Sequence, residues 1–387
     1  MDLPGLEGLL AVCAVAALAP LVAVLLPGPR IAQVVILLVG GVAIGPQGLG
    51  VAPSIEIELI SNVGVGFLFL LAGYELDPAL LRQRPGRLAI LAWLASVLLA
   101  VAAVTLLEVA GIVRTFVPVA IALTTTALGT LLPILRDNDM LGGAFGRYIM
   151  AGGAVGEMFP ILAIAVFLSA NSQYVALLAL VAIAALAAAL MLLSRGIRGR
   201  ALERMVIAGA DTTAQSTLRW TIVLLLALLV ATGEFGVDAV LGAFLAGAVL
   251  RRWVGEGAAS LGAKLDAVGY GFFIPVFFVY SGMNLHLASI LDAPSRLAIF
   301  LGLLVLARAV PVYVVHRRAL DPVPRLQLAL CSATTLPLLV ALAEIGRRNG
   351  SMLAENAAAL VGAGVLSVLL FPTIAVALQA RAKARLP

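Results

Sequence analysis

The sequence predicts an all-α polytopic membrane protein with about 13 transmembrane helices. Three observations carry that prediction. Of 387 residues, 63% are hydrophobic and only 12% charged, with a mean hydropathy of +1.13, whereas soluble domains carry about a quarter charged residues. Apolar runs close to the roughly 20 residues that cross a bilayer as a helix recur along the chain, punctuated by Gly, Pro and charge. Basic residues also alternate from loop to loop in the manner that orients membrane helices.

In chain order the runs fall at about 6–26, 31–49, 57–74, 88–107, 116–135, 144–168, 173–193, 219–232, 236–250, 268–282, 297–315, 326–345 and 355–378. The first has Asp2 and Glu7 where a signal peptide would be positive, so it reads as a retained helix. The eighth to tenth are short. Residues 194–218, with GADTTAQST and an arginine-rich stretch, form a cytoplasmic linker between seven spans and six. One set of alternate loops and the C-terminal tail hold twenty of the 25 Lys and Arg. The opposite set holds Arg114, Arg296, Arg347 and Arg348, and Arg308 lies inside a span. The positive-inside rule then puts the N-terminus outside and the C-terminus in the cytoplasm, in an inner (cytoplasmic) cell membrane, which requires an odd number of spans. The pI near 9.6 reflects residues that face anionic lipid, so no nucleic-acid partner is implied. Cys13 and Cys331 sit in apolar runs and suggest neither a disulfide framework nor a metal site. His286 and His316, at helix ends, read as ordinary solvated histidines.

Two spans carry the same interruption. Thr124-Thr125-Thr126 in the fifth is echoed by Ala333-Thr334-Thr335-Leu336-Pro337 in the twelfth, and the span after each has a Phe-Pro pair, Phe159-Pro160 and Phe371-Pro372. The fifth and twelfth run in opposite directions, as in the inverted repeats of transporters, whose discontinuous helices meet near mid-membrane. Broken backbone at that depth is tolerated only where protein or a water cavity covers it. Taken singly, either interruption could be a mere kink; the pairing favours a binding site.

Chemistry concentrates on few residues. Glu157, in GGAVGEMFP, lies near the middle of an apolar span. A carboxylate at that depth costs roughly 2.5–3.5 kcal/mol on insertion scales and marks a functional site by default. Desolvation disfavours the bare anion, so a proton and a cation compete for it, and that competition is the basis of antiport. Arg308, in LLVLARAVPVYVV, is the one basic residue at mid-span; because arginine does not deprotonate, it acts as a fixed counter-charge, at a helix end or beside Glu157. Thr125, Thr126, Thr334 and Thr335 offer hydroxyl and carbonyl oxygens to a hard monovalent cation. Glu75 and Glu344 lie near span ends and read as solvated. A Walker loop, a hydrolase triad and a Cys/His cluster are all missing, which argues against an enzyme.

Several stretches look familiar. IAQVVILLVGGVAIGPQGLG resembles the second span, and FLFLLAGYELD the third, of monovalent cation:proton antiporters of the Kef/Nap branch of sodium/hydrogen exchangers. TTTALGTLLPIL resembles their first broken helix, and FFIPVFFVYSGMNL the segment before the span that carries a buried base. The resemblance covers nearly the whole chain. It implies a sodium/proton-antiporter fold with inverted repeats and two crossed discontinuous helices, and an elevator motion of a core against a dimerisation domain. On this chain the ion-translocating core would be 88–193 and 297–378, and the dimerisation scaffold mainly 1–74 and 219–282, in a homodimer. A C-terminal nucleotide-binding domain like that of Kef-type relatives is not expected. Many relatives have Asp-Asp, Asn-Asp or Gln-Asp where this chain has Gly156-Glu157, and Arg308 is similar to the arginine of electroneutral members.

The expected activity is therefore exchange of Na+ or K+ for a proton, electroneutral at 1:1, with Glu157 as the shared site and no cofactor. Two rivals stand beside it. One is a sodium-coupled organic-ion symporter on the same fold; the other is a membrane sensor that binds ions without turnover.

Overall fold

A computed structural model describes residues 4–25, 33–51, 55–75, 81–111, 113, 116–167, 215–234, 239–254, 258–285, 294–348, 350 and 352–383. Every regular element among them is helical: α1 (Pro4–Leu25), α2 (Gln33–Ile44), α3 (Ile55–Glu75), α4 (Arg84–Val109), α5 (Phe116–Ala122), α6 (Leu128–Asp137), α7 (Gly143–Phe167), α8 (Ser216–Glu234), α9 (Ala239–Val254), α10 (Ala258–Val268), α11 (Ile274–Met283), α12 (Pro294–Leu304), α13 (Val310–Val315), α14 (Pro322–Ser332), α15 (Pro337–Arg348) and α16 (Ala354–Lys383). Helices lie on each predicted segment except 173–193, which with the linker 194–214 and His286 falls outside the described residues. Seven of the described helical stretches are long and apolar enough to cross a membrane unaided.

Helix α4 shows how such a chain folds. Its inward positions are small, with Ala89, Ala92, Ser96, Ala100 and Val104 buried at spacings of three and four. Leu91, Leu94, Leu98 and Leu106 point outward and are exposed. A soluble helix has the opposite pattern. Here the exposed leucines meet lipid, and small residues let helices approach closely.

Two one-turn π segments, Gly269–Phe273 between α10 and α11 and Val305–Ala309 between α12 and α13, share a cause. Each ends shortly before a proline, Pro275 or Pro311, whose ring would clash with the carbonyl four residues back. The wider turn relieves that clash, and the backbone closes instead from Ile274 N–H to Gly269 O and from Val310 N–H to Val305 O. Helix α10 precedes the first π turn and begins ahead of the predicted start at 268. Lys264 and Asp266 interrupt the apolar pattern there without ending the helix.

The chain forms two compact units. One comprises 1–16, 53–76 and 161–280; the other 17–52, 77–160 and 281–387. In the first, α3 and α9 pack through glycines. A Cβ on Gly73 would sit 1.9 Å from Phe244 O, and one on Gly247 1.9 Å from Leu70 O, so only glycine permits this approach. Phe67 stacks on Phe273 with centroids 4.8 Å apart. In the second unit Leu131, Leu135, Ile149, Leu328, Cys331 and Ala333 form a core that joins α6, α7 and α14. Of the predicted core, 88–193 and 297–378, residues 88–160 and 297–378 lie in this second unit, together with 17–52 of the predicted scaffold, whereas 161–167 lies in the first.

Two expectations about polar residues are corrected. His316 is not solvated: only 2% of it is exposed, because the 3-10 turn His316–Arg318 after α13 tucks the ring under. Its Nδ1 lies 2.8 Å from Val312 O and its ring meets Tyr148 edge-on at 5.4 Å. Glu344 is not solvated either; it is paired with Arg347 and Arg348, one turn further along α15.

Candidate functional site

The site begins with two helices that stop and restart. Helix α5 ends at Ala122 and α6 starts at Leu128; α14 ends at Ser332 and α15 starts at Pro337. Each stop leaves unpaired carbonyls and each restart leaves unpaired N–H groups. Threonines close the first set. Thr124 N–H and Oγ1 both donate to Ile121 O, at 3.0 and 2.8 Å, and Thr125 Oγ1 donates to Ala122 O at 2.7 Å. In the second break Thr334 Oγ1 donates to Leu330 O at 3.2 Å and Thr334 N–H to Cys331 O at 3.1 Å. These side chains cap helix ends, which explains why runs of threonine mark both breaks.

The breaks also bond to each other. Thr125 Oγ1 and Thr335 Oγ1 are 2.5 Å apart, Ala127 N–H donates to Thr334 O at 2.8 Å, and Thr126 Oγ1 donates to Ser332 O at 2.6 Å. Helix α16 holds the second break from behind: Ser367 Oγ accepts from Thr335 N–H at 3.1 Å and lies 2.9 Å from Thr335 O. All five threonines of the two breaks are buried.

Glu157 completes the first break. Ala127, at the cap position of α6, makes no side-chain cap of its own. Instead Glu157 Oε1, from α7, accepts from Leu128 N–H at 2.8 Å and from Gly129 N–H at 3.4 Å. A half-buried carboxylate thus sits at the positive end of a half-helix, where backbone dipoles favour negative charge. The arrangement is built from main chain, with one titratable oxygen pair at its centre.

Arg308 lies in the second π turn, 1% exposed, the largest fully buried side chain among the described residues. Without that extra residue in the turn, the side chain would point about 100° away around the helix. Its Nε donates to Thr126 Oγ1 at 3.0 Å, Nη1 to Ser96 Oγ at 3.5 Å and Nη2 to Gly152 O at 3.3 Å. The structure therefore joins Thr125, Thr126, Thr334, Thr335 and Arg308 in one bonded cluster, with Glu157 on the same break through Leu128 and Gly129. Sequence reasoning missed Ser96, Ser332, Ser367 and the amides of 128 and 129. Serines are ordinary in membrane helices, so composition gives no signal for them, although Ser332 adjoins Ala333-Thr334-Thr335 and Ser367 lies four residues before Phe371-Pro372. Among the described residues, no group of three or more His, Cys, Asp or Glu side chains could hold a metal.

The family model of the transmembrane sodium/hydrogen exchanger matches residues 13–379. The chain belongs to the sodium/hydrogen exchanger family. Cation/H+ antiporter 17 of Arabidopsis thaliana is 28% identical over 327 residues, which cover 77% of this chain and 38% of the plant protein. A Na+/H+ antiporter of Enterococcus hirae is 27% identical over 252 residues, covering 63% of this chain and 64% of its own. The exchanger chain thus spans less than two thirds of either relative's length. The structure of the sodium/proton antiporter MjNhaP1 of Methanocaldococcus jannaschii at pH 8 superposes with a TM-score of 0.60 at 17% identity, covering 98% of this chain and 97% of the other. The shared feature at that identity is the fold, an all-helical exchanger architecture.

Proposed function

We propose that this exchanger-family chain swaps a monovalent cation, Na+ or K+, for a proton across the membrane. One observation carries the reading: the Glu157 carboxylate lies at the start of α6, in a break tied by hydrogen bonds to a second break. A carboxylate there can be neutralised by a proton or by a cation but not by both, and mutual displacement is exchange. Thr125, Thr126, Thr334 and Thr335 hold the breaks in register, and their oxygens are the supporting ligands in this reading. Arg308 contributes a permanent charge that balances the carboxylate, consistent with an electroneutral 1:1 exchange. The names of the relatives, which are antiporters of sodium or other cations against protons, support the same class.

The remaining features belong to the same proposal. The two discontinuous helices cross as members of inverted repeats, and the core carries the ion in an elevator motion within a homodimer. The N-terminus faces outward and the C-terminus the cytoplasm, as the distribution of basic residues argues.

The test is proton flux in liposomes carrying the purified chain, followed with a pH dye under a clamped potential while Na+, K+ or Li+ is added. Glu157→Gln keeps the shape but removes the titratable anion, so exchange should fall by at least about 100-fold with the fold intact. Retained exchange in that variant would refute the role of Glu157. Silence of the wild type toward every cation would move the weight to a symporter or a sensor.

A further inference from the structure

Gly156 is the immediate neighbour of Glu157 inside α7, in ordinary helical backbone with no positive φ to demand glycine. Mid-helix glycine is disfavoured against alanine, so its presence calls for a cause. The surroundings supply one. A Cβ built on residue 156 would lie 2.5 Å from Arg308 Nη2, 2.5 Å from Thr126 Oγ1 and 2.6 Å from Thr126 Cβ, where non-bonded contacts with carbon settle near 3.5 Å or more. One turn earlier, a Cβ on Gly152 would meet nothing closer than Ser332 Oγ at 3.7 Å. A Cβ on Gly153 would meet the Leu128 side chain, at 2.6 Å from Cδ1, so both glycines let α7 approach the break, but of these three only 156 faces Arg308 and Thr126. The Gly156 carbonyl also accepts from Thr126 N–H at 3.0 Å, which holds the break against α7 at this point.

We propose that Gly156 is a positioning residue of the exchange site: the space left by its absent side chain is where the Arg308 guanidinium sits, and this sets how near the fixed positive charge stands to Glu157. The inference rests on the exchange reading given above. It also assigns a direction. A permanent positive charge close to the carboxylate repels the transported cation, and the repulsion falls with distance. Any side chain at 156 must push back the Arg308–Thr126 pair, so it weakens that repulsion and tightens cation binding. Gly156 thereby keeps the site loose enough to release its ion.

The experiment uses the purified full chain in detergent, with proton release on addition of Na+ followed by a pH dye. Wild type, Gly156→Ala, Arg308→Gln and the double variant are titrated side by side. The Na+ midpoint should fall roughly fivefold in Gly156→Ala and roughly tenfold or more in Arg308→Gln, from the loss of repulsion over a few ångströms in a medium of intermediate dielectric. In the double variant the midpoint should match that of Arg308→Gln within about twofold, because the guanidinium is already gone. A wild-type midpoint in Gly156→Ala, or shifts that multiply in the double variant, would overturn the proposal. If Gly156→Ala fails to fold, Arg308→Lys takes its place, since it keeps the charge but withdraws it from the space beside residue 156; a wild-type Na+ midpoint in Arg308→Lys also overturns the proposal. No proton release from the wild type would sink the exchange reading and this inference with it, whereas release with unshifted midpoints sinks this inference alone.

Discussion

Glu157 and Glu344 are both carboxylates inside strongly apolar helices, and the molecule treats them in opposite ways. Glu344 is held by side chains of its own helix: Arg347 Nη2 at 3.0 Å and Arg348 Nε at 2.7 Å, both within one turn. It lines a small open cavity of about 30 Å³ whose walls do not include Glu157. Glu157 is held by main-chain N–H groups of a different helix, at a point where that helix begins. Guanidinium partners move with the side chain they neutralise and pin its charge permanently. Backbone amides orient a carboxylate through their dipoles and bring no full charge of their own. A carboxylate suited to exchange needs the second kind of support.

That contrast can be broken or sharpened in several ways, the largest effect being the loss of exchange in Glu157→Gln. Next comes Glu157→Asp, which retains the charge but withdraws it by one methylene from Leu128 N–H. Exchange in liposomes should drop between about 10- and 100-fold, the usual cost of an ångström of misplacement at a reacting group, and full activity would show that the amide contact does not matter. Thr126→Val removes the acceptor of Arg308 Nε and the donor to Ser332 O. A thermal melt should show a loss of about 1.5–3 kcal/mol, as for a buried charged donor left unpaired. Smallest of all should be Glu344→Gln. Its partners are i+3 and i+4 neighbours, and the two arginine side chains are 35% exposed, so stability should change by less than about 1 kcal/mol. Exchange by Glu344→Gln should stay within about twofold of wild type. A large loss of flux there would erase the distinction between the two carboxylates.

The sequence made some of this readable and hid the rest for physical reasons. Helical membrane architecture was legible because lipid imposes length and hydropathy on every span, and the breaks were legible because threonine and proline are what a broken helix needs. Glu157 and Arg308 stood out through the cost of charge in an apolar run. The partners of these residues did not stand out. Leu128 and Gly129 act through backbone N–H groups that any residue type would supply, and Ser96 reaches Arg308 from a helix more than 200 positions away. The π turn that aims Arg308 inward is a shift of one residue in register, which hydropathy cannot register, although Pro311 signals its position. His316 misled because it lies at a helix end, while the ring itself folds back against Tyr148.

The bonds between the two breaks have a mechanical consequence. With Thr125 tied to Thr335 and Ala127 to Thr334, two stretches over 200 residues apart in the chain behave as a single splice of backbone. Parting them would strand buried donors and acceptors on both sides at once, so under the proposed exchange whatever displacement delivers the ion takes the whole splice along.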